Sequence, residues 1–523
     1  MSSSLLLIGA PLVSLVTVWF WLSGVHSVQR RYPNGPPGWP IIGNLLHLSL
    51  NHPWLRLAEW KPIYGNLLYM YGMGNNILVL NDIKAVNDLL EKKGAIYSHR
   101  PAFMVVGELM ELGKSMPLRP YDSLWKLQRK IAHVALSPEA VKKYHLVQED
   151  AAALLNKSLC DDPKAFCDQI RLAAGRIIVS VTYGLPVDSY QNEYITHAEK
   201  TMDLITKATM PGAYLADIFP AFKSIHAWLF SRQVQAGKRM ILDLVSRPFD
   251  RVKEQVAAGI ALPSLTSHLL SESYQWDEFT NQEEYEEAVK WVSGALFGAG
   301  AETTYSTVLT CIIAMVQHPD KQSRAQDEID TVVGAHRLPT INDKDSLPYV
   351  GALIKETMRW YPALPLSIAR KTAQDDIYDG YYIPAGTTVL PNVWSIANDC
   401  DSSRDFIPER FLNANAPTDP ATYAFGFGRR VCPGRYLADN SVFIMVATLL
   451  AAFDISPEID SNRISKPLRP QFSTGLVSYP QHFRWRWLYY NCKHSPTSIQ
   501  IPTHKNGDSH ARNLLALCRT APN

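Results

Sequence analysis

The sequence predicts a mainly α-helical domain with a small β-sheet portion, preceded by one N-terminal transmembrane helix. Three observations carry that expectation. Apolar residues recur at helical spacing along most of the chain. Prolines stand at the ends of those stretches, where a helix tolerates them. Strand signals are sparse, with one clear hairpin. The 523 residues are 46% hydrophobic and 19% charged, which suffices for a sizeable buried core. A formal net charge of +2, with no long run of one sign, leaves no nucleic-acid signature.

Residues 5–25 contain no charged side chain. At about 1.5 Å per residue, a helix of that length spans the roughly 30 Å hydrocarbon core of a bilayer. Arg30 and Arg31 follow, and "MSSS" before the run carries no Lys or Arg, which puts the body of the protein on the cytosolic side. A cleaved signal peptide is the alternative; the missing basic start and the length of the run favour a retained anchor. Residues 1–28 therefore read as the anchor and residues 29–44 as a Pro/Gly-rich hinge. With no repeat or interdomain linker in between, residues 45–490 read as one domain, and the polar, Pro-broken residues 491–523 as an atypical tail expected to be poorly ordered.

Within the domain, residues 66–82 form two apolar runs separated by Gly72, Gly74, Asn75 and Asn76, a hairpin signal. Helices are expected at 123–135, 149–159, 283–317, 320–333 and 349–360, punctuated by Pro319, Pro348 and Pro362. Seven cysteines (Cys160, Cys167, Cys311, Cys400, Cys432, Cys492, Cys518) are odd in number and lack zinc-like spacing. That argues for a reducing compartment over a disulfide framework, with six of them read as small buried hydrophobes.

Cys432 differs. In "FGFGRRVCPG", Gly426, Gly428 and Gly434 permit a tight backbone, Pro433 restricts it after the sulfur, and Arg429, Arg430 and Arg435 favour a thiolate. Read without context this is a Gly-rich hairpin with a buried cysteine. The pattern Phe-x-x-Gly-x-Arg-x-Cys-x-Gly, at Phe425, Gly428, Arg430, Cys432 and Gly434, resembles the haem-ligand loop of the cytochrome P-450 family. By that resemblance Cys432 is the axial ligand of haem iron, and Phe425, Gly428, Arg430 and Gly434 cradle the cofactor.

Other motifs follow in the family's order. Glu356 and Arg359 lie three apart on one helix face, a spacing that by itself suits a solvated surface pair. In the family such a pair is buried and locks onto the Arg of a Pro-Glu-Arg-Phe element, here Arg410 in residues 408–411. "GAGAETTYS" contains small residues that could ease helix packing and threonines that could bond their own helix. It also resembles the family's oxygen-activation motif, which implies that Gly300 leaves room for dioxygen while Glu302 and Thr303 relay protons. Trp125 and Arg129, at i,i+4, are similar to the pair that meets haem propionates, and Arg370 stands where the family has a second propionate ligand.

The resemblance spans residues 1–483 and is most similar to the microsomal, fungal-type branch. It implies a triangular, helix-rich prism holding haem b. Its activity would insert one oxygen atom of O2 into an apolar small molecule by hydroxylation or epoxidation, with a fungal terpenoid or polyketide as the expected substrate. Electrons from NADPH would arrive through a separate diflavin cytochrome P-450 reductase, with cytochrome b5 as a further donor. The setting would be the endoplasmic reticulum membrane, single-pass, with a cytosolic catalytic domain. No Gly-x-Gly here has the third glycine of a dinucleotide site. Lys126, Lys130, Arg429 and Arg435 are expected to form the basic docking face. Phe297, Ala301, Thr304 and residues 363–368 and 474–476 are expected to line the pocket.

Two departures stand out. Residues 394–411 are shorter than the family's segment and lack its Tyr-x-Asp-Pro portion. After Phe483 the expected closing strand is replaced by "RWRWLYYNCKHSP", which suggests an alternative chain end. Two rivals remain open: a haem-thiolate isomerase or peroxygenase that needs no reductase, and a catalytically silent haem-binding membrane protein.

Overall fold

A computed structural model describes residues 30–39, 42–44, 47, 51–72, 74–210, 213–218, 223–271, 279, 281–334, 336–458, 470–481 and 485–489. The expected anchor and tail lie outside the described residues. The longer helices are α1 (Ser123–Leu136), α2 (His145–Asp161), α3 (Phe166–Tyr183), α4 (Glu193–Ala208), α5 (Ser231–Ala257), α6 (Gln282–Gln317), α7 (Pro319–Val332), α8 (Pro348–Trp360) and α9 (Arg435–Ala452). The strands are β1 (Leu67–Gly72), β2 (Asn75–Leu80), β3 (Arg370–Lys371), β4 (Asp376–Tyr378), β5 (Tyr381–Ile383), β6 (Thr388–Pro391), β7 (Phe453–Pro457) and β8 (Trp485–Tyr489).

The helices α1, α2, α6, α7 and α8 fall where the sequence places them, with α2 starting at His145, earlier than expected. Their starts have local causes. The Asp122 side chain caps α1 by accepting from Trp125 N at 2.7 Å, and Asn281 caps α6 by accepting from Glu284 N at 2.9 Å. Pro319 and Pro348 open α7 and α8. The helices that periodicity did not single out include α5, which carries Pro248 in its interior, and α9, buried along nearly its whole length. A helix that is apolar all round has no stripe to read.

By length and composition α6 and α9 could each cross a membrane, yet 78% and 72% of their most apolar windows are buried inside the protein. They are core helices. α6 threads the middle of the helical body, packed on α3, α5, α9, α8 and α1.

The hairpin expected at 66–82 is β1–β2, with Leu67 opposite Leu80 and Gly72 opposite Asn75. β2 runs parallel to β6, and β6 is antiparallel to the two-residue β3, giving the order β1-β2-β6-β3. That edge position fixes Arg370, whose side chain is nearly fully buried. β4 pairs with β5. β7 pairs antiparallel with β8, so the closing strand that the sequence reading took to be replaced is present at Trp485–Tyr489, facing Phe453–Pro457.

Glu356 and Arg359 on α8 are 0% and 1% exposed, so they are not a surface pair. Arg359 donates from Nε to Glu356 Oε2 (2.7 Å) and from Nη2 to Oε1 (2.8 Å), a bidentate fork. Arg410 Nε (3.2 Å) and the Ile407 backbone N–H (2.8 Å) also donate to Glu356 Oε1. The remaining guanidinium N–H groups reach into residues 394–411: Arg359 to Ser403 O and Asp405 O, and Arg410 to Asp401 O and Ser402 O. Residues 394–411 supply every carbonyl this network needs, with Ser402 held at φ 50° to turn the chain.

Removing the acid would strand a buried cation. Breaking one partner of such a pair costs about 3–5 kcal/mol. Glu356→Gln is expected to lower the urea midpoint accordingly; a midpoint matching the parent would mean the network contributes no net stability.

Candidate active site

One large cavity lies among α1, α3, α6, α8, the N-terminus of α9 and the segments 362–370 and 424–434. Its wall brings together Trp125, Arg129, Gly300, Thr303, Arg370, Phe425, Arg430, Cys432 and Gly434. The sequence-predicted Gly428 sits just behind this wall. Its φ is 49°, and an added Cβ would lie 2.2 Å from Leu90 O, so only glycine fits.

The cysteine loop is tied from several directions. Cys432 N donates to Phe425 O at 2.7 Å, closing the turn. Arg129 Nη1 donates to Val431 O (2.7 Å) and Arg370 Nη2 to Phe427 O (2.6 Å). Arg430 turns inward across the Trp125 ring, 4.4 Å from its centroid, and donates to Ser98 O, Met116 O and Arg119 O. Cys432 lies inside the protein yet opens on the cavity. Burial pushes its thiol up, while the Gly434 N–H, Arg129 and Arg435 pull it down.

Arginines dominate the wall's charge. Arg100, which the sequence reading missed, is also there; it spends its N–H groups on Pro117 O, Ile368 O and Ala369 O, each at 2.7 Å. Burial, then Arg430 and Arg370, hold its guanidinium well below the ordinary value. Burial and then Arg430 push Arg370 down to about 9, and burial and then Arg129 push Arg430 down to about 10. No salt bridge among the described residues meets Arg100, Arg129, Arg370 or Arg430. Trp125 Nε1 and Arg370 Nε and Nη1 are buried without any hydrogen-bond partner. Such groups call for an anion that the protein does not provide. A cysteine sulfur opening on the same cavity as this cluster fits haem b, whose iron a thiolate would hold and whose carboxylates the arginines and the indole would meet. No sequence signal marks Arg100: an Arg before Pro101 carries no motif of its own.

The motif on α6 divides between two faces. Thr303 lines the cavity, and its Oγ1 donates to Ala299 O at 3.1 Å. Gly300 also lines the cavity, but an added Cβ would sit 2.8 Å from Ile178 Cδ1, so the glycine makes room for a protein side chain as well as for any ligand. Glu302 is not in the cavity wall. It faces a small separate crevice, 3.4 Å from Arg171 Nε, and burial pushes its carboxyl up against the pull of Arg171. Arg171 in turn donates to Glu199 Oε1 (2.7 Å) and lies over the Tyr305 ring, 4.3 Å from its centroid.

The expected pocket lining needs correction. Thr304 and segment 363–368 take part, but Phe297 packs edge-on against Tyr183 and Ala301 faces the Glu302 crevice. Residues 474–476 lie elsewhere: Thr474 Oγ1 donates to Asn51 Oδ1, and Gly475 lies against Thr206. At about 100° per residue, 297 and 301 share one stripe of α6, while 296, 300, 303 and 307 share another. Of the proposed docking cations, Lys126, Lys130 and Arg429 are exposed; Arg435 is half-buried, with Nη2 2.6 Å from Tyr436 OH.

The sequence model of the family described as cytochrome P450 matches residues 33–485. A cytochrome P450 monooxygenase of Coprinopsis cinerea, COX2, is 38% identical over 474 residues, covering 88% of this chain and 89% of that protein. One from Ampulloclitocybe clavipes, claR, is 36% identical over 500 residues, 93% and 90%. Another from Postia placenta, numbered 105, is 35% identical over 464 residues, 87% and 88%.

A hydrogen bond to a charged group contributes about 1.5–3 kcal/mol. Trp125→Phe is therefore expected to speed haem transfer to an excess of a scavenging apoprotein by roughly 10- to 100-fold. An unchanged transfer rate would place the indole outside the cofactor's bonds.

Proposed function

This chain belongs to the cytochrome P450 family and is a haem-dependent monooxygenase fed by a redox-partner reductase; on that premise we propose that it oxygenates an apolar fungal secondary metabolite. The observation that carries the site assignment is the pairing of Cys432 with orphaned Trp125 Nε1 and Arg370 N–H groups around one cavity. When bound, haem supplies the redox chemistry by which RH, O2, two electrons and two protons become ROH and water.

The chain's own residues do the rest. Cys432 would supply its sulfur to the iron, and the Gly434 backbone N–H bonds that sulfur. Trp125 and Arg370 would hold the cofactor's carboxylates through their unpartnered N–H groups, with Arg100, Arg129 and Arg430 adding positive charge around them. Thr303 holds an exchangeable proton in the cavity wall, and Glu302, next along α6, keeps a carboxyl whose burial favours the protonated form. The apolar walls of α3 and α6 exclude water. This division of labour favours the monooxygenase over an isomerase or peroxygenase, which can dispense with proton supply.

The finer partner and setting are part of the same reading. A diflavin NADPH–cytochrome P450 reductase would dock at the exposed Lys126 and Arg429, both gathered at Tyr121, with cytochrome b5 as a further donor. The uncharged run at residues 5–25 supports a single-pass anchor in the endoplasmic reticulum with the catalytic domain cytosolic.

Cys432→Ala is expected to abolish the thiolate-type Soret band of the reduced carbon-monoxide complex; a variant that kept the band would overturn the assignment. Thr303→Ala should keep the band and still consume NADPH, while product per NADPH falls roughly tenfold or more, as loss of a positioned proton donor implies. Arg429→Glu should slow reductase-driven turnover, increasingly so at low ionic strength, with substrate affinity unchanged. Equal turnover would remove that docking face.

A further inference from the structure

The polar groups of the cavity fall into two sets. The guanidinium groups answer the cofactor's carboxylates. Two hydroxyls answer nothing: Thr304 Oγ1 on α6 and Ser367 Oγ in segment 362–370 have no hydrogen-bond partner among the described residues, and neither is sealed from the cavity they line. Their neighbours behave otherwise, since Thr303 and Thr307 spend their protons on Ala299 O and Thr303 O.

Ser367 has a second distinction. Its φ is 53°, which makes it the one non-glycine residue of the described cavity wall in the left-handed region. Side chains avoid that conformation, and such strain tends to sit at functional positions. Here it holds a hydroxyl in a stretch otherwise made of Pro362, Ala363, Leu364 and Ile368. The carboxylate of the wall, Asp439, is paired with Lys344, so no unpaired acid is left for a charged ligand.

Resting on the monooxygenase reading, we infer that Thr304 and Ser367 are hydrogen-bonding anchors for a neutral substrate that already carries a hydroxyl or carbonyl oxygen. A hydroxyl can donate or accept, so the pair suits an alcohol or a ketone on an apolar skeleton. A bare hydrocarbon would leave both groups desolvated and unpaired, which selects against it. In a reaction sequence, this enzyme therefore follows a step that has placed the first oxygen on the skeleton, such as an earlier oxygenation or a cyclisation that retains water.

The test uses the holoenzyme and two probes of one skeleton, the hydrocarbon valencene and the ketone nootkatone, titrated against the haem band. The wild-type protein should bind the ketone more tightly. Ser367→Ala and the near-isosteric Thr304→Val should each weaken ketone binding roughly three- to tenfold, the effect of one neutral hydrogen bond, and leave valencene unchanged. Ser367→Gly should lose the same ketone preference while raising the melting temperature, which separates the hydroxyl from the strain. Equal binding of both probes to the wild type, no response to either, or unaltered ketone binding in the variants would overturn the inference. The reduced carbon-monoxide band of each sample reports separately on the underlying reading; its absence from the wild type would remove that reading and this inference with it.

Discussion

Four guanidinium groups in one wall, three of them buried and Arg129 half-buried, with no carboxylate to meet them, set the terms for everything around the cavity. A buried charge is tolerable only when its donors are used. Arg100 and Arg430 satisfy theirs on backbone carbonyls from Ser98, Met116, Pro117, Arg119, Ile368 and Ala369, stretches far apart in the chain. Arg129 and Arg370 each place one nitrogen on a carbonyl of the cysteine loop, Val431 O and Phe427 O, and Arg370 keeps Nε and Nη1 without a protein partner. Arg129, Arg370 and Arg430 thereby tie down the cysteine loop, and the unused N–H groups of Arg370, with the Trp125 indole, are left for a dianionic cofactor. Cofactor binding and stability are then linked, because the anion binds only the folded arrangement of these groups.

The Glu356 network is the counterpart in which the protein supplies its own anion. Arg359 forks onto Glu356, Arg410 joins from the 408–411 turn, and the leftover N–H groups fasten carbonyls of the preceding loop. This joins α8 to the 394–411 segment that leads toward the cysteine loop. Glu409 beside it pairs outward with Lys321 and Arg324 of α7, so the turn is held on both sides. Rigidity at the sulfur depends on such supports, since a ligand loop left to solvent would not keep its geometry.

Helix α6 shows how one motif serves two environments. Residues 302 and 303 are adjacent in sequence and about 100° apart around the axis. One turns to the substrate cavity and the other to a crevice where Arg171 bridges it to exposed Glu199. The acid is thus kept out of a wall that is otherwise free of unpaired carboxylates, while its neighbour's hydroxyl remains in that wall.

Short-range pattern marked Cys432 as the candidate iron ligand and placed helices α1, α2, α6, α7 and α8, because a fixed motif and a 3.6-residue period are local signals; the three-residue step from Glu356 to Arg359 puts both on one helix face, while their burial with Arg410 was implied by the family resemblance alone. Tertiary structure decided the rest. Only packing made Arg100 part of the site, since its partners lie up to 269 positions away. Only packing rotated Phe297, Ala301 and Glu302 away from the cavity and left Thr304 and Ser367 in it, because the orientation of an all-round apolar helix is set by what packs against it and not by its own pattern. The two-residue β3 and the pairing of Phe453–Pro457 with Trp485–Tyr489 are likewise too short or too distant to read locally; they exist because other strands are there to receive their hydrogen bonds.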